Sequence, residues 1–489
     1  MSKLHLTDRM IGVFSPTTAL RRVHDRQLLN RYLAALPADP KTKKKRRKST
    51  GTANQVNWGA RAIYQRARDG DENNPTVISI LDELTTNIVG PDGIRVEPQP
   101  LDRDGHIHTE AARIISDWFA EFSLAQNIDG EFSRAETELL SCRTWLRDGE
   151  VFARYYMGQH PQLDYPGETP FGVQPFEPDW VPHENDLEHR FYEGIQRNAL
   201  GQMQAILLRK APGSIDTIQV AARFCGHLKF VRRIHQNRGV SLLHGVLDLI
   251  ADLEDYDQSE RISAQIASRF AYYIKRDKSI SENEIERGGD MFLGMGNSFE
   301  LAPGEDAGIV ESNRSEAMSN PFRTAQLKAT ASGAMVNYSS MTRNYDGSYS
   351  SQRQELVDSF SRYRVLQRQF VTRWTRPQYR MALEVALLNG NVRLPKDVDP
   401  RTALAAIYQA PVMPWIDPSK EMIGIEKGSR LGLQSLSNYQ RERNIDPLAT
   451  RREIAAEREA MDAAGIVSTA DPKHNLQSSQ SKETPNDSD

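Results

Sequence analysis

Enzymatic chemistry needs side chains that converge: a nucleophile beside a base, facing carboxylates, or three to four metal ligands around one point. In this 489-residue chain the residues able to do such work are scattered. His106 and His108 form a His-x-His pair, but they sit in the polar turn DRDGHIH with no cysteine close by. Two histidines alone fall short of a usable metal site. The two cysteines, Cys142 and Cys225, exclude a disulfide framework and a cysteine-based zinc site, and they suit a reducing compartment. The chain has no G-x-x-x-x-G-K-[ST] phosphate loop and no G-x-S-x-G nucleophile elbow. Gly294-Met295-Gly296 lacks the third glycine of a dinucleotide fingerprint. Carboxylates are plentiful, yet no pair stands apart from its neighbours. The expectation is a protein that is not an enzyme and takes no cofactor and no metal.

Charge is the more informative chemistry. Residues 1–50 hold thirteen Lys or Arg against three Asp or Glu, so the remainder of a chain with net charge −3 is near −13. The imbalance centres on Lys41–Lys48, where Lys43, Lys44, Lys45, Arg46 and Arg47 stand in succession. Such a run stays solvated. It is either an arm that touches phosphates, releasing counterions as it binds, or a charged tail with no fixed partner. A second concentration is acidic: Asp248, Asp252, Glu254, Asp255 and Asp257, followed by Glu260. It reads either as helix-dipole compensation on a solvated face or as a like-charged wall that repels DNA.

The elements that would position these groups follow from hydrophobic spacing. A short helical pattern in residues 1–36 leads to a Pro- and Gly-containing linker over 37–52. A helix is expected from Trp58 to about Arg68, broken by Gly70-Asp71-Glu72-Asn73-Asn74. Pro75 opens a second, with Ile78, Leu81, Leu84 and Ile88 on one face, closed by Gly90-Pro91-Asp92-Gly93. Residues 94–100 alternate like a strand. Helices near 109–123 and 132–147 precede a β-rich stretch with strands at VFARYYM, GVQPFEP, FYEGIQR, MQAILLRK and LKFVRRI. A long helix with an acidic beginning starts near Leu242, carrying Leu249, Leu253, Tyr256, Ile266, Phe270 and Tyr273. Short strands and turns follow, helix resumes near 314–336, and residues 344–351 form a loop. Gln352–Asn389 reads as a second long helix, kinked at Pro377 and ended by Gly390. Residues 391–424 read as loops, 446–464 as a last helix, and the Ser/Asp/Gln-rich tail as disordered. No segment of about 18 apolar residues occurs, so no membrane span is expected.

Five of these segments, in order, resemble the lambda-type phage portal family. They are NPTVISILDELTTNIVGPDGIRVEPQP (74–100), RGVSLLHGVLDLIADLEDYDQSERISAQIASRFA (238–271), NYDGSYSSQRQELVDSF (344–360), APVMPWIDPSKEMIG (410–424) and the ending NYQRERNIDPLATRREIAAEREAMDAAGI. The likeness spans about residues 55–466. Phe191–Phe224 fits only loosely, and the basic run has no counterpart.

The resemblance implies an α+β, mostly helical portal fold with wing, stem, clip and crown, assembling as a ring, usually dodecameric, at one capsid vertex of the virion after assembly in the host cytoplasm. Residues 1–54 would be a basic, flexible arm. The wing would take 55–241, the first stem helix 242–276, the clip 277–312 and the second stem helix 313–336. A tunnel loop would occupy 337–351, a long kinked helix and return to the wing 352–424, the crown 425–466 and a disordered tail 467–489. Double-stranded DNA would pass through the ring without sequence preference during packaging and ejection. The other partners implied are the terminase large subunit, the major capsid protein or scaffold, and head-tail adaptor proteins, with no membrane. On this reading Arg343, Asn344 and Ser348 are DNA-contact candidates in the tunnel loop. Asp248, Asp252, Asp255 and Glu260 are candidates for the channel wall, and Lys43–Arg47 for a phosphate-binding arm. The rivals are another virion component, a nucleic-acid-binding module led by the basic arm, and a nuclease or hydrolase.

Overall fold

The computed structural model describes residues 60–186, 189–211, 213–269, 273–276, 305–308, 316–414 and 417–466. They fall into two compact units, one built from the chain up to Leu242 and from Tyr345 onward, the other from Leu243–Asn344. The fold is α+β and mostly helical. The basic arm with Lys43–Arg47, the pattern in 1–36, the tail and most of the expected clip lie outside the described residues.

The first unit opens with α1 (Ala60–Asn73) and α2 (Pro75–Ile88). The expected break at Gly70–Asn74 is absent, because α1 runs through it to Asn73. Gly70 packs closely there: a Cβ on it would meet the Val77 side chain at 3.0 Å. Asn74 then changes role and caps α2, its side chain accepting from the Thr76 and Val77 amides. Strand β1 (Arg95–Pro98), α3 (Thr109–Leu124) and α4 (Arg134–Asp148) follow. Helix α4 starts with a capping box between Ser133 and Glu136.

Strand β2 (Glu150–Met157) is the centre of a three-stranded antiparallel sheet, flanked by β3 (Phe171–Phe176) and, after an intervening meander, β8 (Cys225–Lys229). The meander is a four-stranded antiparallel sheet of β4 (Phe191–Tyr192), β5 (Ile195–Arg197), β6 (Met203–Arg209) and β7 (Thr217–Ala221). Phe152, Phe176, Ile195, Ile206, Leu208 and Val220 form one apolar cluster between the two sheets. The strand expected at LKFVRRI lies earlier, because Cys225–Lys229 supplies the residues in register with β2. Strand β7 was not expected from the polar sequence DTIQV.

The second unit holds α5 (Leu247–Arg269), β9 (Tyr273–Arg276), β10 (Glu305–Gly308), α6 (Glu316–Gly333) and the short α7 (Tyr338–Thr342). The long helix expected over 242–276 is shorter at both ends. Leu242–Gly245 is a 3-10 turn, and Tyr273–Arg276 is a strand paired antiparallel with Glu305–Gly308. Helix α5 packs on α6 through Tyr256 and Phe322, ring centroids 5.2 Å apart, and through Asp257 and Arg323 at 3.0 Å. The expected loop over 337–351 is partly helical, containing α7 and the first residues of the next helix.

Back in the first unit, α8 (Tyr349–Phe370) continues through a π-helical turn, Val371–Thr375, into α9 (Arg376–Asn389), which Gly390 ends in the left-handed region. Pro377 explains the turn. It lacks an N–H, and its ring crowds the carbonyl of Arg373. Instead the Arg376 amide donates to Val371 O, five residues back. The rod is anchored by aromatic contacts, Trp145–Phe370 at 6.2 Å and an edge-on Phe119–Tyr379 pair at 5.1 Å. Thr375 Oγ1 also donates to the buried Glu138 carboxylate at 2.6 Å. Residues 391–424 are not all loop. Strand β11 (Ala406–Gln409) pairs with β1, and α10 (Pro418–Arg430), capped by Asp417, runs across the expected wing–crown boundary at 424/425. Helices α11 (Leu436–Arg441) and α12 (Pro447–Ala463) complete the described chain.

Gly149 and Gly239 make the tightest backbone approach. Gly149 has φ +92°, and a Cβ there would lie 2.2 Å from the Val240 carbonyl carbon, while one on Gly239 would lie 2.0 Å from Gly149 O. Thermal or urea unfolding should show G149A destabilised by about 3–5 kcal/mol, from left-handed strain plus backbone clash. Gly390 has φ +85° but open space around it, so G390A should lose only the strain, about 1–2 kcal/mol. Equal losses would contradict the packing argument.

Candidate functional site

The histidine pair does not converge. His108 caps α3, its Nδ1 accepting from the Ala111 amide, and its Nε2 lies 3.0 Å from Asp397 Oδ2. His106 is exposed, 3.8 Å from Asp102. Among the described residues no group of three or more His, Cys, Asp and Glu could hold a metal ion.

The most strongly perturbed titratable cluster lies at the start of β2. Glu150 is buried, accepts from Arg238 Nε at 2.7 Å and from the Gly239 amide at 2.9 Å, and faces His227 Nε2 at 2.9 Å. Burial would raise its carboxyl pKa, but the Arg238 guanidinium and the hydrogen bond to His227 overcome this and hold it well below the usual carboxylate range. Burial pushes His227 down to about 4 against the pull of Glu150. Burial and Arg238 together push His183 down to about 3. Perturbed groups often mark active sites, but the Glu150, Arg238 and His227 part of this cluster is closed, while His183 borders a pocket lined by Tyr64, Asp179 and Arg209. Arg238 is fully buried and donates further to the carbonyls of Pro178, Pro182 and Glu193. The arrangement is a structural clamp.

The charged surfaces are where the geometry is open. On α5, about 100° per residue places Asp248, Asp252 and Asp255 within roughly 60° of one another. All three are exposed, opposite the buried Ile250 and Leu253. Glu260 falls off this face by about 120° from Asp248, is half-buried, and is not brought together with the three aspartates. Asp257 faces α6 and pairs with Arg323. Arg343 and Asn344 are exposed, with Arg343 in the left-handed region at φ 53°. Ser348 is exposed but already employed, since its hydroxyl caps α8 by accepting from the Ser351 amide.

One charged feature was missed from sequence. Residues 359–383 contain six arginines and no Asp, Glu or Lys. Only Arg362 of the six forms an ion pair among the described residues, with Asp358. Arg364, Arg368, Arg373, Arg376 and Arg380 are exposed. Arg364, Arg368 and Arg373, with Val365, Gln369 and Thr372, line an open groove of about 460 Å³. The signal was the missing counter-charge in an otherwise acidic chain.

A family model described as phage portal protein, lambda family, matches residues 38–367. A probable portal protein of Halomonas phage phiHAP-1 is 22% identical over 438 residues, covering 82% of this chain and 81% of that protein. Solved structures that are similar include the neck of a native gene transfer agent particle computed with C12 symmetry, at 12% identity and TM-score 0.48, covering 78% of this chain and 92% of that one. A chain from the virion of a native gene transfer agent particle is similar at 12% identity and TM-score 0.45, covering 80% and 95%.

The clamp has a pH signature. His227 is held neutral to about pH 4 in the folded chain, whereas an unfolded histidine takes its proton near 6.5. Between those values the unfolded state binds more protons, so stability falls as pH drops from about 6.5 to about 4. Glu150, depressed in the fold, adds a loss at still lower pH. Unfolding measured from pH 7 to pH 4 should show H227Q removing on the order of 3 kcal/mol of this dependence. His183 would keep a residual slope. An unchanged profile would refute the assignment.

Proposed function

Because the chain belongs to the phage portal protein family of the lambda type, we propose that it is the subunit of a ring through which double-stranded DNA is packaged and ejected. Membership makes it a structural component of the particle's portal rather than an enzyme. On our reading the ring is dodecameric, as the family resemblance implies. It docks the terminase motor during packaging and head-tail adaptor proteins afterwards, and it meets the major capsid protein or scaffold at the vertex.

The parts take refined boundaries. We take α5 and α6, which lie within the expected 242–276 and 313–336, as the stem helices. The clip begins with β9 and includes β10. The wing is built from 55–241 with α8, α9 and the return through β11. The crown is α10 onward, because a boundary at 424/425 would cut that helix. The loop between α7 and α8 is the tunnel loop, with Arg343 and Asn344 at its edge. Lys43–Arg47 remains a candidate phosphate-binding arm.

The observation that carries the conduit reading is the outward face of α5. A channel for DNA must hold a polyanion without gripping it. Phosphate contacts dominate nucleic-acid affinity and are independent of sequence, so a wall that lets DNA slide has to withhold cations. Asp248, Asp252 and Asp255, together opposite the packed side of α5, present carboxylates instead. Their repulsion acts over about a Debye length, roughly 8 Å at physiological salt, which suits a wall that surrounds a moving duplex closely.

Packaging assays with variant rings test this. D248N/D252N/D255N should slow DNA translocation several-fold or stall it, more so at low salt, while E260Q leaves it near normal. Wild-type velocity in the triple variant at every salt concentration would sink the wall. R343A should leave rings intact and reduce retention of packaged DNA, and full retention would remove Arg343 from the tunnel loop's contacts.

A further inference from the structure

The arginines of α8 and α9 are not explained by a conduit wall, since they carry the opposite charge. Their alignment depends on the π turn. In an uninterrupted helix Arg376 would sit about 120° around the axis from Arg364. The π turn takes up one extra residue, so the two are separated by an effective eleven residues and differ by about 20°. Arg368 and Arg380, four residues beyond each, then extend the same face. Burial bears out the phase. Tyr363, Leu366, Gln367 and Phe370 before the turn, and Gln378, Tyr379 and Ala382 after it, are all buried. Arg364, Arg368, Arg376 and Arg380 are all exposed.

The result is a straight row of four guanidinium groups over sixteen residues, about 24 Å of rod, with Arg373 beside it on the groove floor shared with Gln369 and Thr372. Pairs such as Arg364/Arg368 and Arg376/Arg380 repel within a helix, and no carboxylate pairs with any of the four among the described residues. A row of like charges on one exposed face is suited to an anion from outside. Phosphate on one DNA strand repeats about every 3.4 Å of duplex axis, so 24 Å of rod runs alongside several successive phosphates. Guanidinium is the side chain whose planar fork matches phosphate oxygens, and no lysine occurs in the segment. Gln369 and Thr372 add neutral donors to the groove.

We propose that the face of Arg364, Arg368, Arg376 and Arg380 is a binding site for the phosphate backbone of duplex DNA, separate from the acidic face of α5 and from the 343–348 loop. The proposal rests on the portal reading for the presence of DNA, and on the aligned row for the site itself. The acidic face repels the duplex so that it slides, whereas the arginine row holds it.

The test is binding of a random-sequence 30-base-pair duplex to full-length protein over a salt series, comparing wild type with R364Q/R368Q/R376Q/R380Q. Both proteins carry the 41–48 basic arm, so its contribution cancels. Each phosphate contact adds about 0.9 to the slope of log affinity against log salt. The variant should therefore bind more weakly, with a slope smaller by about 3–4. The matching four-lysine variant should retain most of the slope. Electron microscopy of the same samples separates the two claims. Wild-type rings with equal slopes in wild type and variant overturn the arginine site and leave the portal reading standing. Absence of wild-type rings overturns the portal reading. Loss of rings in the glutamine variant alone, with circular dichroism unchanged, makes the row a subunit interface and overturns the DNA site. A variant that has lost its helical dichroism is replaced by R364Q/R368Q, for which a slope smaller by about 2 supports the site and an equal slope overturns it.

Discussion

Glu150 stands where α4 ends and β2 begins, buried, with Arg238 Nε at 2.7 Å and the Gly239 amide at 2.9 Å. Much of the first unit depends on that clamp. It fixes the segment Gln236–Ser241 against the Gly149 turn, where neither Gly149 nor Gly239 has room for a side chain. Through His227 it reaches β8, and through the carbonyls that Arg238 satisfies it reaches the Pro178–Pro182 turn and Glu193 in the meander. A buried ion pair adds little stability over an apolar substitute, but removing one partner leaves an uncompensated charge at a cost of about 3–5 kcal/mol. Its value here is positional. It specifies the path of the chain just before Leu242, where the first unit gives way to the second.

A second constraint is helical phase. The rod of α8 and α9 buries one face along its length although Pro377 forbids regular hydrogen bonding at its middle. A plain kink would leave the second half rotated by about 100° relative to the burial pattern. The π turn absorbs that residue, keeps Trp374 and Thr375 buried, and lets Thr375 bond to Glu138. The same adjustment brings the arginines into line. One backbone irregularity thus serves the core on one side of the rod and the charge pattern on the other.

These two constraints also mark what could and could not be read from the sequence. Signals local to the chain were legible: Pro75 opening α2, Gly90 closing it and Gly390 after α9. The five ordered segments were enough for the family, and the acidic run at 248–257 was found because its residues are close in sequence. Features set by distant partners were not legible. Gly70–Asn74 looks like a breaker, yet the helix continues to Asn73 with Gly70 packed close to Val77. Tyr273–Arg276 fits a helical stripe as well as a strand, and its pairing with Glu305–Gly308 lies some thirty residues away. Glu260 belongs to the acidic run in sequence and leaves it in space. The arginine row is invisible to a 3.6-residue period because the structure departs from that period within it.

On the proposed conduit reading, the helix face bearing Asp248, Asp252 and Asp255 encloses the path of DNA. A symmetric electron cryomicroscopy reconstruction of the purified full-length protein examines it most directly. The prediction is a closed ring with an axial channel wide enough for a duplex, these three aspartates on its inner wall and Leu253 turned away from it. A monomer or open filament, or a ring whose inner wall is formed by other residues while this face points outward, would contradict it.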